Sequence, residues 1–353
     1  MQPPRLIEML PITAFLPDAH DLRNDQGARL LNPSINRLGD GFVVVYRIIS
    51  SAGDRQIHAC RLDASLKPIA GSAVELSALL PAMMPHESAQ SRSWFADPRT
   101  FWLAGGLYIS WNDGFHYVDG RLSPHNNQYL VELDRERLHP AGPVRRMRRI
   151  DGQFRPEKNW MLFCDGSEWR CVYSIAPHKI LVLADSNETE LVWQEKYVTP
   201  NLSPYPQRFG EMRGGAQPVR RGEHFFHFAH SAWPAGDKRT YGAALYSFEA
   251  RAPYRVCNSW DAPLPLPRPP AVPALKSLNE NAGEILYVTG VVDASGQWIL
   301  SYGVDDKMGC IAIVDDDWIA TLPALPNRPS RHESAWVAVR ALARRTLNRL
   351  RTA

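Results

Sequence analysis

Short apolar segments alternate with polar turn sequences along most of the chain. Seven of these segments are rich in Val, Ile, Tyr, Phe or Trp and are bounded by turn-forming residues: 41–49, 106–111, 169–174, 224–230, 243–248, 284–291 and 297–302. Their length and composition predict β-strands. Turn sequences such as Asn112-Asp113-Gly114 lie between them, where hairpin loops are expected. Because helical periodicity is almost missing before the last thirty residues, we predict an all-β fold.

A polar motif recurs just before successive hairpins. Its five forms are Asn32-Pro33-Ser34, Asp97-Pro98-Arg99, Glu157-Lys158-Asn159, Arg213-Gly214-Gly215 and Glu280-Asn281-Ala282-Gly283, at spacings of about 55 to 70 residues. Four antiparallel strands need about that length, so we predict a five-bladed β-propeller over residues 1–325. The first strand of each blade lines the central channel of a propeller, and we therefore expect the motifs to converge on one pocket.

Two segments depart from this pattern. Residues 329–351 combine a loose apolar stripe with several arginines, which predicts a short basic amphipathic C-terminal α-helix. Such a helix either packs on the propeller rim with a solvated basic face, or contacts an anionic membrane surface or an acidic partner. The proline-rich stretch 264–273 is either a linker or, as we favour, a surface crossing between the last two blades.

The composition excludes several classes of protein. With 353 residues, 44% hydrophobic and 22% charged, the chain is not globally disordered. A net charge of +3 argues against a nucleic-acid binder. No apolar run approaches the ~18 residues of a membrane span, and the N-terminal residues lack a secretory signal, so we expect a cytoplasmic location, with membrane association left open. Five scattered cysteines without a C-x-x-C pair indicate neither a disulfide framework nor a zinc site, and we predict no metal or cofactor.

Asp97 is the first candidate for catalysis. A carboxylic acid in a partly apolar site can act as a general acid, for example by supplying the proton that the leaving oxygen of a glycoside requires. Four aromatic residues flank Asp97 in the sequence, Trp94, Phe95, Phe101 and Trp102. These side chains could desolvate the carboxyl and raise its pKa. The alternative is a structural turn in which Asp97 binds backbone amides.

The other motifs supply candidates for binding sugar hydroxyls or an anion. Lys158 and Asn159 suit a phosphate or hydroxyl groups, and Arg213, followed by two glycines, suits an anion held at two points while the backbone approaches the ligand. Glu157 is a candidate base, although such a triplet is also common on surfaces. His230 ends an alternating strand, where a core histidine is about as plausible as a ligand contact.

Taken together in this order, the motifs resemble those of glycoside hydrolase family 130, the β-mannoside phosphorylases and related hydrolases, which have a five-bladed propeller. The likeness covers most of residues 30–315 and comprises D-P-R at 97–99, K-N at 158–159, G-G-x-x-P at 214–218, Y-G-A-A-L at 241–245 and S-Y-G-V-D-D at 301–306. The chain is also similar, through E-K-N-W, Y-S-I-x-P-H and S-Y-G-V-x-D, to propeller modules that accompany glycosyltransferases in bacterial polysaccharide clusters.

The resemblance implies that Asp97 is the general acid, with its proton delivered through a substrate hydroxyl. It also implies that Asp306 binds the sugar, although Asp305 could take this place if the register slips by one residue. The predicted site comprises two catalytic residues, Asp97 and Glu157, and nine substrate-binding residues, Asn32, Arg47, Arg99, Lys158, Asn159, Arg213, His230, Tyr241 and Asp306.

Two departures from the family pattern affect the reaction. Phosphorylases of the family carry an arginine in the strand after K-N, where this chain has Tyr173-Ser174, and a lysine where it has Arg213. Loss of a cation weakens inorganic phosphate as the nucleophile. An inverting hydrolase instead needs a second carboxylate ~6.5–9.5 Å from the acid, for which Glu157, Glu211 and Asp305 are candidates.

We therefore expect a carbohydrate-active enzyme of the inverting glycosidase or phosphorylase type, acting on β-mannosides or related β-glycosides. The alternatives are a glycosyltransferase in capsule or exopolysaccharide assembly and a non-catalytic sugar-binding propeller. The expected partners are an oligosaccharide or glycan, with phosphate or a nucleotide sugar as a further option, and no nucleic acid. Peripheral membrane contact through residues 329–351 is also an option.

Overall fold

The computed structural model describes residues 3–84, 87–114, 117–118, 121–122, 126–152, 158–270, 278 and 280–327. Strands make up most of this part of the chain, and its α-helices are short: α1 (Tyr205–Phe209) and α2 (Asp316–Thr321). The predicted all-β fold is therefore confirmed. The helix predicted at 329–351 lies outside the described residues. Within the part described, no helix has the length and apolar character needed to cross a membrane.

The strands are short and mostly joined by tight turns. In chain order the first half comprises β1 (Arg5–Met9), β2 (Arg29–Leu38), β3 (Gly41–Ile49), β4 (Arg55–Leu62), β5 (Val74–Glu75), β6 (Ala96–Leu103), β7 (Gly106–Asn112), β8 (Tyr117–Val118), β9 (Arg121–Leu122), β10 (Gln128–Leu133), β11 (Arg145–Arg149) and β12 (Met161–Asp165). The second half comprises β13 (Glu168–Ile175), β14 (His178–Ser186), β15 (Glu190–Thr199), β16 (Arg213–Gly214), β17 (Val219–Arg221), β18 (His224–Ala235), β19 (Lys238–Glu249), β20 (Val256–Trp260), β21 (Ala282–Asp293), β22 (Gln297–Val304), β23 (Met308–Asp315) and β24 (Ala324–Pro326). Single 3₁₀ turns lie at Ile12–Phe15, Asp21–Asn24 and Leu80–Met83.

Antiparallel pairing divides these strands into groups that follow the chain. The first group is β2-β3-β4-β5, the second is β6-β7-β10-β11 and the third is β12-β13-β14-β15. The fourth group is built on β18, β19 and β20, and the fifth comprises β21, β22 and β23. The N-terminal strand β1 pairs antiparallel with β23 and so completes the fifth group with the other end of the chain. Parallel pairs β11–β15 and β19–β21 join neighbouring groups at their edges.

The apolar core lies between successive groups. Val43 and Val45 of the first group pack with Trp111 of the second, and the alternate residues Val44 and Tyr46 pack in a different cluster with residues of the fifth. Three further clusters join the second group to the third, the third to the fourth and the fourth to the fifth. Because both faces of a strand such as β3 are covered, its sequence is almost continuously apolar. The groups thus follow one another in a closed order, as a propeller requires, and the count of five blades stays a prediction.

Buried hydroxyl groups join the last group to the first. Ser301 on β22 donates through Oγ to the carbonyl of Pro33 at 2.6 Å and accepts from the amide of Ile35 at 2.9 Å. Both partners belong to β2, and Ser301 is fully buried. Ser301 therefore binds backbone groups of β2 across the junction between the fifth and first groups.

We expect Ser301→Ala to lower the free energy of unfolding by about 1–3 kcal/mol, because it leaves the buried amide of Ile35 without its partner and the carbonyl of Pro33 with Thr289 as its remaining donor. Urea unfolding monitored by tryptophan fluorescence measures this change. The matched control is Ser186→Ala at the exposed end of β14, which should leave the free energy of unfolding within about 0.5 kcal/mol of wild type. Equal stability of the Ser301 variant and the control would contradict this account of ring closure.

Candidate functional site

Bulges on the first strands of two groups place the predicted polar motifs. Asn32 and Asp97 each precede a proline, each adopts a left-handed backbone with φ of 49°, and the strand register shifts at both positions. Asn159, just before β12, has a φ of 62°. Aspartate and asparagine tolerate this region better than other side chains, and bulges commonly redirect side chains beside active sites. Three of the five predicted motifs therefore share a left-handed backbone position, whereas those at 213–215 and 280–283 do not.

Most of the predicted site residues line one cavity of about 200 Å³. Its walls are formed by side chains from all five groups, namely Asn32, Arg47, Asp97, Lys158, Asn159, Arg213, His230, Tyr241, Ile285, Tyr287 and Asp306. Sequence reasoning named nine of these eleven residues. Glu157, the second predicted catalytic residue, lies outside the described residues.

Arg99 was expected among the substrate-binding residues, but it does not line the cavity. It is 2% exposed. Its guanidinium donates to the carbonyl of Gly215 at 2.7 Å and to the hydroxyl of Tyr287 at 2.8 Å. Arg99 thus joins three strand groups behind the cavity wall. A strand bulge decides which side chain of a motif points inward, and the sequence does not show it.

Asp97 is held in the cavity as a carboxylate. Its Oδ1 accepts a hydrogen bond from Nδ2 of Asn32 at 2.8 Å and lies 3.7 Å from Nη1 of Arg47. Burial raises the pKa of this carboxyl, but the charges of Arg47, Arg99 and Lys158 outweigh that effect, so the pKa lies below its ordinary value of 3.8. The charges around Asp97 therefore favour its ionised form, in the direction opposite to the raised pKa expected from the sequence.

The aromatic residues around Asp97 in the sequence point elsewhere in the fold. Phe95 packs in the core between the first two groups, and Phe101 packs between the second and third. The indole of Trp102 donates to the carbonyl of Arg37 at 2.9 Å. Neighbours in sequence therefore do not set the environment of Asp97, because a strand sends alternate side chains to opposite faces.

Asp306 is the second carboxyl of the cavity. It lies in the turn between β22 and β23, and burial together with the charge of Asp97 raises its pKa despite the opposing charge of Arg47. The neighbouring Asp305 points away, since its Oδ1 accepts from the amide of Ile285 at 2.9 Å and from Arg268 at 3.0 Å. Asp306 is therefore the member of this pair that faces the cavity.

His230, Arg213 and Lys158 line another part of the cavity. Arg213 and His230 are register partners on β16 and β18. Burial, with the charges of Arg99 and Arg213, holds the pKa of His230 well below its ordinary value. Its Nδ1 atom is buried without a hydrogen-bond partner among the described residues, which leaves a polar atom available to a ligand. Lys158 completes this basic wall.

The glycine pair after Arg213 serves backbone packing. A Cβ on Gly214 would lie 2.3 Å from the carbonyl oxygen of Asn159, and one on Gly215 would lie 2.6 Å from that of Phe228. These glycines let β16 approach neighbouring strands. Packing between strands therefore explains this glycine pair, and not the expected approach of the backbone to a ligand.

Tyr287 was missed by sequence reasoning. Its ring centroid lies 4.2 Å from that of His230, and its hydroxyl donates to Oδ1 of Asn159 at 2.8 Å. The available signal was the strand period, which places Ile285 and Tyr287 on one face of a predicted strand.

A second cavity of about 290 Å³ adjoins the first and shares Lys158, Asn159 and Arg213 with it. Tyr173 and Ser174, which depart from the family pattern, line this second cavity. Their strand β13 has an irregular register between Val172 and Ser174. Of the other candidate bases, Glu211 lines this second cavity and not the first.

His20, His58 and Glu75 form a separate cluster whose polar atoms lie within 4.8 Å of one another. Nδ1 of His20 accepts from the amide of Leu22 at 3.2 Å, so the ring proton lies on Nε2, which donates to Glu75 at 3.2 Å. A metal ligand must offer a lone pair at that nitrogen. We therefore interpret the cluster as a histidine–carboxylate pair.

Comparison with known proteins shows the fold. No family model matches the chain, and no curated sequence is significantly similar to it. A glycosyl hydrolase from Bacteroides ovatus superposes with a TM-score of 0.57 at 12% identity, over 85% of this chain and 87% of the other. A β-1,2-mannobiose phosphorylase from Listeria innocua, in complex with β-1,2-mannobiose, gives 0.52 at 12% identity over 84% and 93%. A GDP-Man-dependent mannosyltransferase from Leishmania mexicana gives 0.50 at 12% identity over 86% and 95%. At the level of the fold, the resemblance seen in the sequence is confirmed.

Isosteric changes of the two cavity carboxyls should have opposite effects on stability. The lowered pKa of Asp97 means that its ionised form stabilises the folded state above the unfolded pKa, and Asp97→Asn should lower the melting temperature at pH 7. The raised pKa of Asp306 means the reverse, so Asp306→Asn should raise the melting temperature at pH 7.

Both differences should shrink as the pH falls towards 3, where the unfolded carboxyls become protonated. Thermal unfolding of wild type and both variants at several pH values measures this. A stabilising Asp97→Asn change at pH 7 would contradict the electrostatic description of the cavity.

Proposed function

We propose that the protein is a carbohydrate-active enzyme that cleaves or forms β-mannosidic or related β-glycosidic bonds, with inversion, in the Asp97 cavity. The observation that carries this proposal is the convergence of side chains from five strand groups on one cavity with two carboxyls and a basic wall. The shared fold with a hydrolase, a phosphorylase and a transferase, all acting on carbohydrates by their names, supports it.

The sugar that undergoes reaction binds beside Asn32, Arg47 and Asp306 in this proposal. Amide, guanidinium and carboxyl groups together offer donors and acceptors for neighbouring hydroxyls. Asp97, hydrogen-bonded to Asn32, then lies next to the bond that breaks or forms.

An anion binds on the opposite wall. Lys158 and Arg213 supply positive charge, and His230 supplies a buried ring nitrogen without a partner among the described residues. Inorganic phosphate fits this chemistry. One phosphate oxygen forms a bond to the anomeric carbon as the bond between that carbon and the glycosidic oxygen breaks. The glycosidic oxygen takes the proton of Asp97. The products are a sugar 1-phosphate and a shortened glycan.

Binding of the anion also prepares Asp97 as an acid. In the empty cavity, positive charges hold the pKa of Asp97 below its ordinary value, which is unsuitable for a proton donor. A phosphate on Lys158 and Arg213 offsets part of that positive charge and so raises the pKa. The protonated carboxyl therefore forms together with the complex.

Transfer from a nucleotide sugar is the second candidate. It is favoured by the cavity of about 290 Å³ beyond Lys158 and Arg213, lined by Tyr173 and Ser174 where family phosphorylases carry an arginine. A diphosphate on the basic wall would join a sugar in the first cavity to a nucleoside in the second. A role in polysaccharide assembly, a cytoplasmic location and membrane contact through residues 329–351 remain part of this alternative.

Product analysis on β-1,2- and β-1,4-mannobiose, with and without phosphate, tests the first candidate. We expect phosphate-dependent release of mannose 1-phosphate, reduced about 10²–10⁴-fold in Asp97→Asn because the proton donor is lost. Phosphate-independent release would indicate hydrolysis, and turnover only with GDP-mannose would favour the second candidate. No turnover of any of these substrates would contradict the proposal.

Arg213→Met should raise the KM for phosphate by about tenfold or more and change the KM for the mannoside little, because the charge lies on the anion side of the cavity. The matched control is Arg220→Met, an exposed arginine on β17 outside both cavities. Steady-state kinetics with each substrate varied in turn measures the two constants. Equal changes in both KM values would place Arg213 outside the proposed anion site.

A further inference from the structure

Two arginines interrupt an apolar face of the first strand group at the cavity end. Arg47 pairs with Ile57, and Ile49 pairs with Arg55, so these four side chains lie on one face of β3 and β4. The same face packs against the second group through residues such as Val45. Two guanidinium groups therefore replace apolar side chains where this interface reaches Asp97.

Asp97 is the ionised carboxyl beside these two arginines, since the raised pKa of Asp306 favours the neutral form of that second carboxyl. Arg47 lies 3.7 Å from Asp97, but its Nε is buried and has no hydrogen-bond partner in the part of the chain that the structure describes. Among the described residues, Arg55 has no carboxylate within ion-pair distance. Burial and the charge of Arg47 lower the pKa of Arg55, and the charge of Asp97 opposes this only in part. An additional anion would relieve this imbalance.

Arg55 is held in a fixed plane by Trp94. Its guanidinium carbon lies 4.0 Å from the centroid of the indole ring, and Trp94 is 40% exposed. The indole lies against Gly114, where a Cβ would come within 2.3 Å of the ring nitrogen. A stacked guanidinium keeps the N–H donors at its edge available, in the geometry that matches a carboxylate.

An open groove of about 440 Å³ runs past these two side chains. The groove also carries Asp54, which accepts from Ser50 at 3.2 Å, Glu75, which binds His20 at 3.2 Å, and the exposed Arg92, and neither carboxylate forms a described ion pair with Arg55. Arg55 is thus the half-buried charge of the groove that lacks a counterion among the described residues.

We infer that Arg55, which lies against Trp94, forms a subsite for a carboxylate-bearing sugar, a uronic acid residue, in the groove near Asp97. The uronic acid would be the neighbour of the sugar bound beside Asn32 and Arg47, so it belongs to the leaving group or to the acceptor. This inference rests on the proposed function and adds the class of glycan that the enzyme selects.

Two tetrasaccharides that differ only at C6 test it, β-1,4-linked mannuronate and β-1,4-linked mannose. Isothermal titration calorimetry with wild-type protein should give about tenfold tighter binding of the mannuronate tetramer, since one carboxylate–guanidinium pair is gained. Arg55→Met should remove this preference and leave binding of the neutral tetramer within about twofold. Trp94→Phe should retain the preference, and Trp94→Ala should weaken it.

Arg37→Met is the matched control, because Arg37 is an exposed arginine stacked on Phe42 at 4.9 Å in the same group, outside the cavity and the groove. Its affinities should equal those of wild type. Equal binding of both tetramers by wild type, equal losses of both in Arg55→Met, or binding of neither would overturn the inference. Turnover of neutral mannosides in the assay above, without any preference for acidic glycans, would overturn this inference alone and leave the proposed function standing.

Discussion

Asp97 is a carboxylate surrounded by cations, of which Arg47 and Lys158 come from other parts of the chain and Arg99 from its own strand. Arg47 lies on β3, Arg99 on β6 and Lys158 just before β12, and these like charges repel one another unless an anion lies between them. The bulge at Pro98 and the amide of Asn32 fix the carboxyl at this position. The negative charge of Asp97 offsets part of this repulsion. The surplus of positive charge that remains is what makes the cavity suitable for an anionic ligand.

Strands and the polar motifs were predictable because they depend on local sequence. Strand β3 is apolar on both faces and ends in turn-forming residues, and its predicted bounds, 41–49, are those observed. The recurring motifs were recognisable because each lies just before or at the start of the first strand of a group. Four of the five motifs contribute side chains to the cavity, whereas residues 280–283 do not line it and the fifth group contributes Ile285, Tyr287 and Asp306 instead.

Properties that depend on distant residues were not predictable in the same way. The lowered pKa of Asp97 depends first on Arg47, which lies far from it in the sequence, and then on its neighbour Arg99 and on the distant Lys158, and not on the aromatic residues beside it. Whether the side chain of Arg99 points into the cavity or away from it depends on the bulge in β6 between Ala96 and Arg99. Tyr287 belongs to an ordinary apolar strand, and only its contacts with His230 and Asn159 show that it supports the cavity.

The protonation of Asp97 is the most direct test of this account. Infrared difference spectra between wild type and Asp97→Asn, recorded over a range of pH with and without phosphate, report the carboxyl stretch of this one side chain. The account predicts a pKa below the ordinary 3.8 in the empty cavity and a clear rise when phosphate is bound. A pKa at or above the ordinary value in the empty protein, unchanged by phosphate, would contradict it.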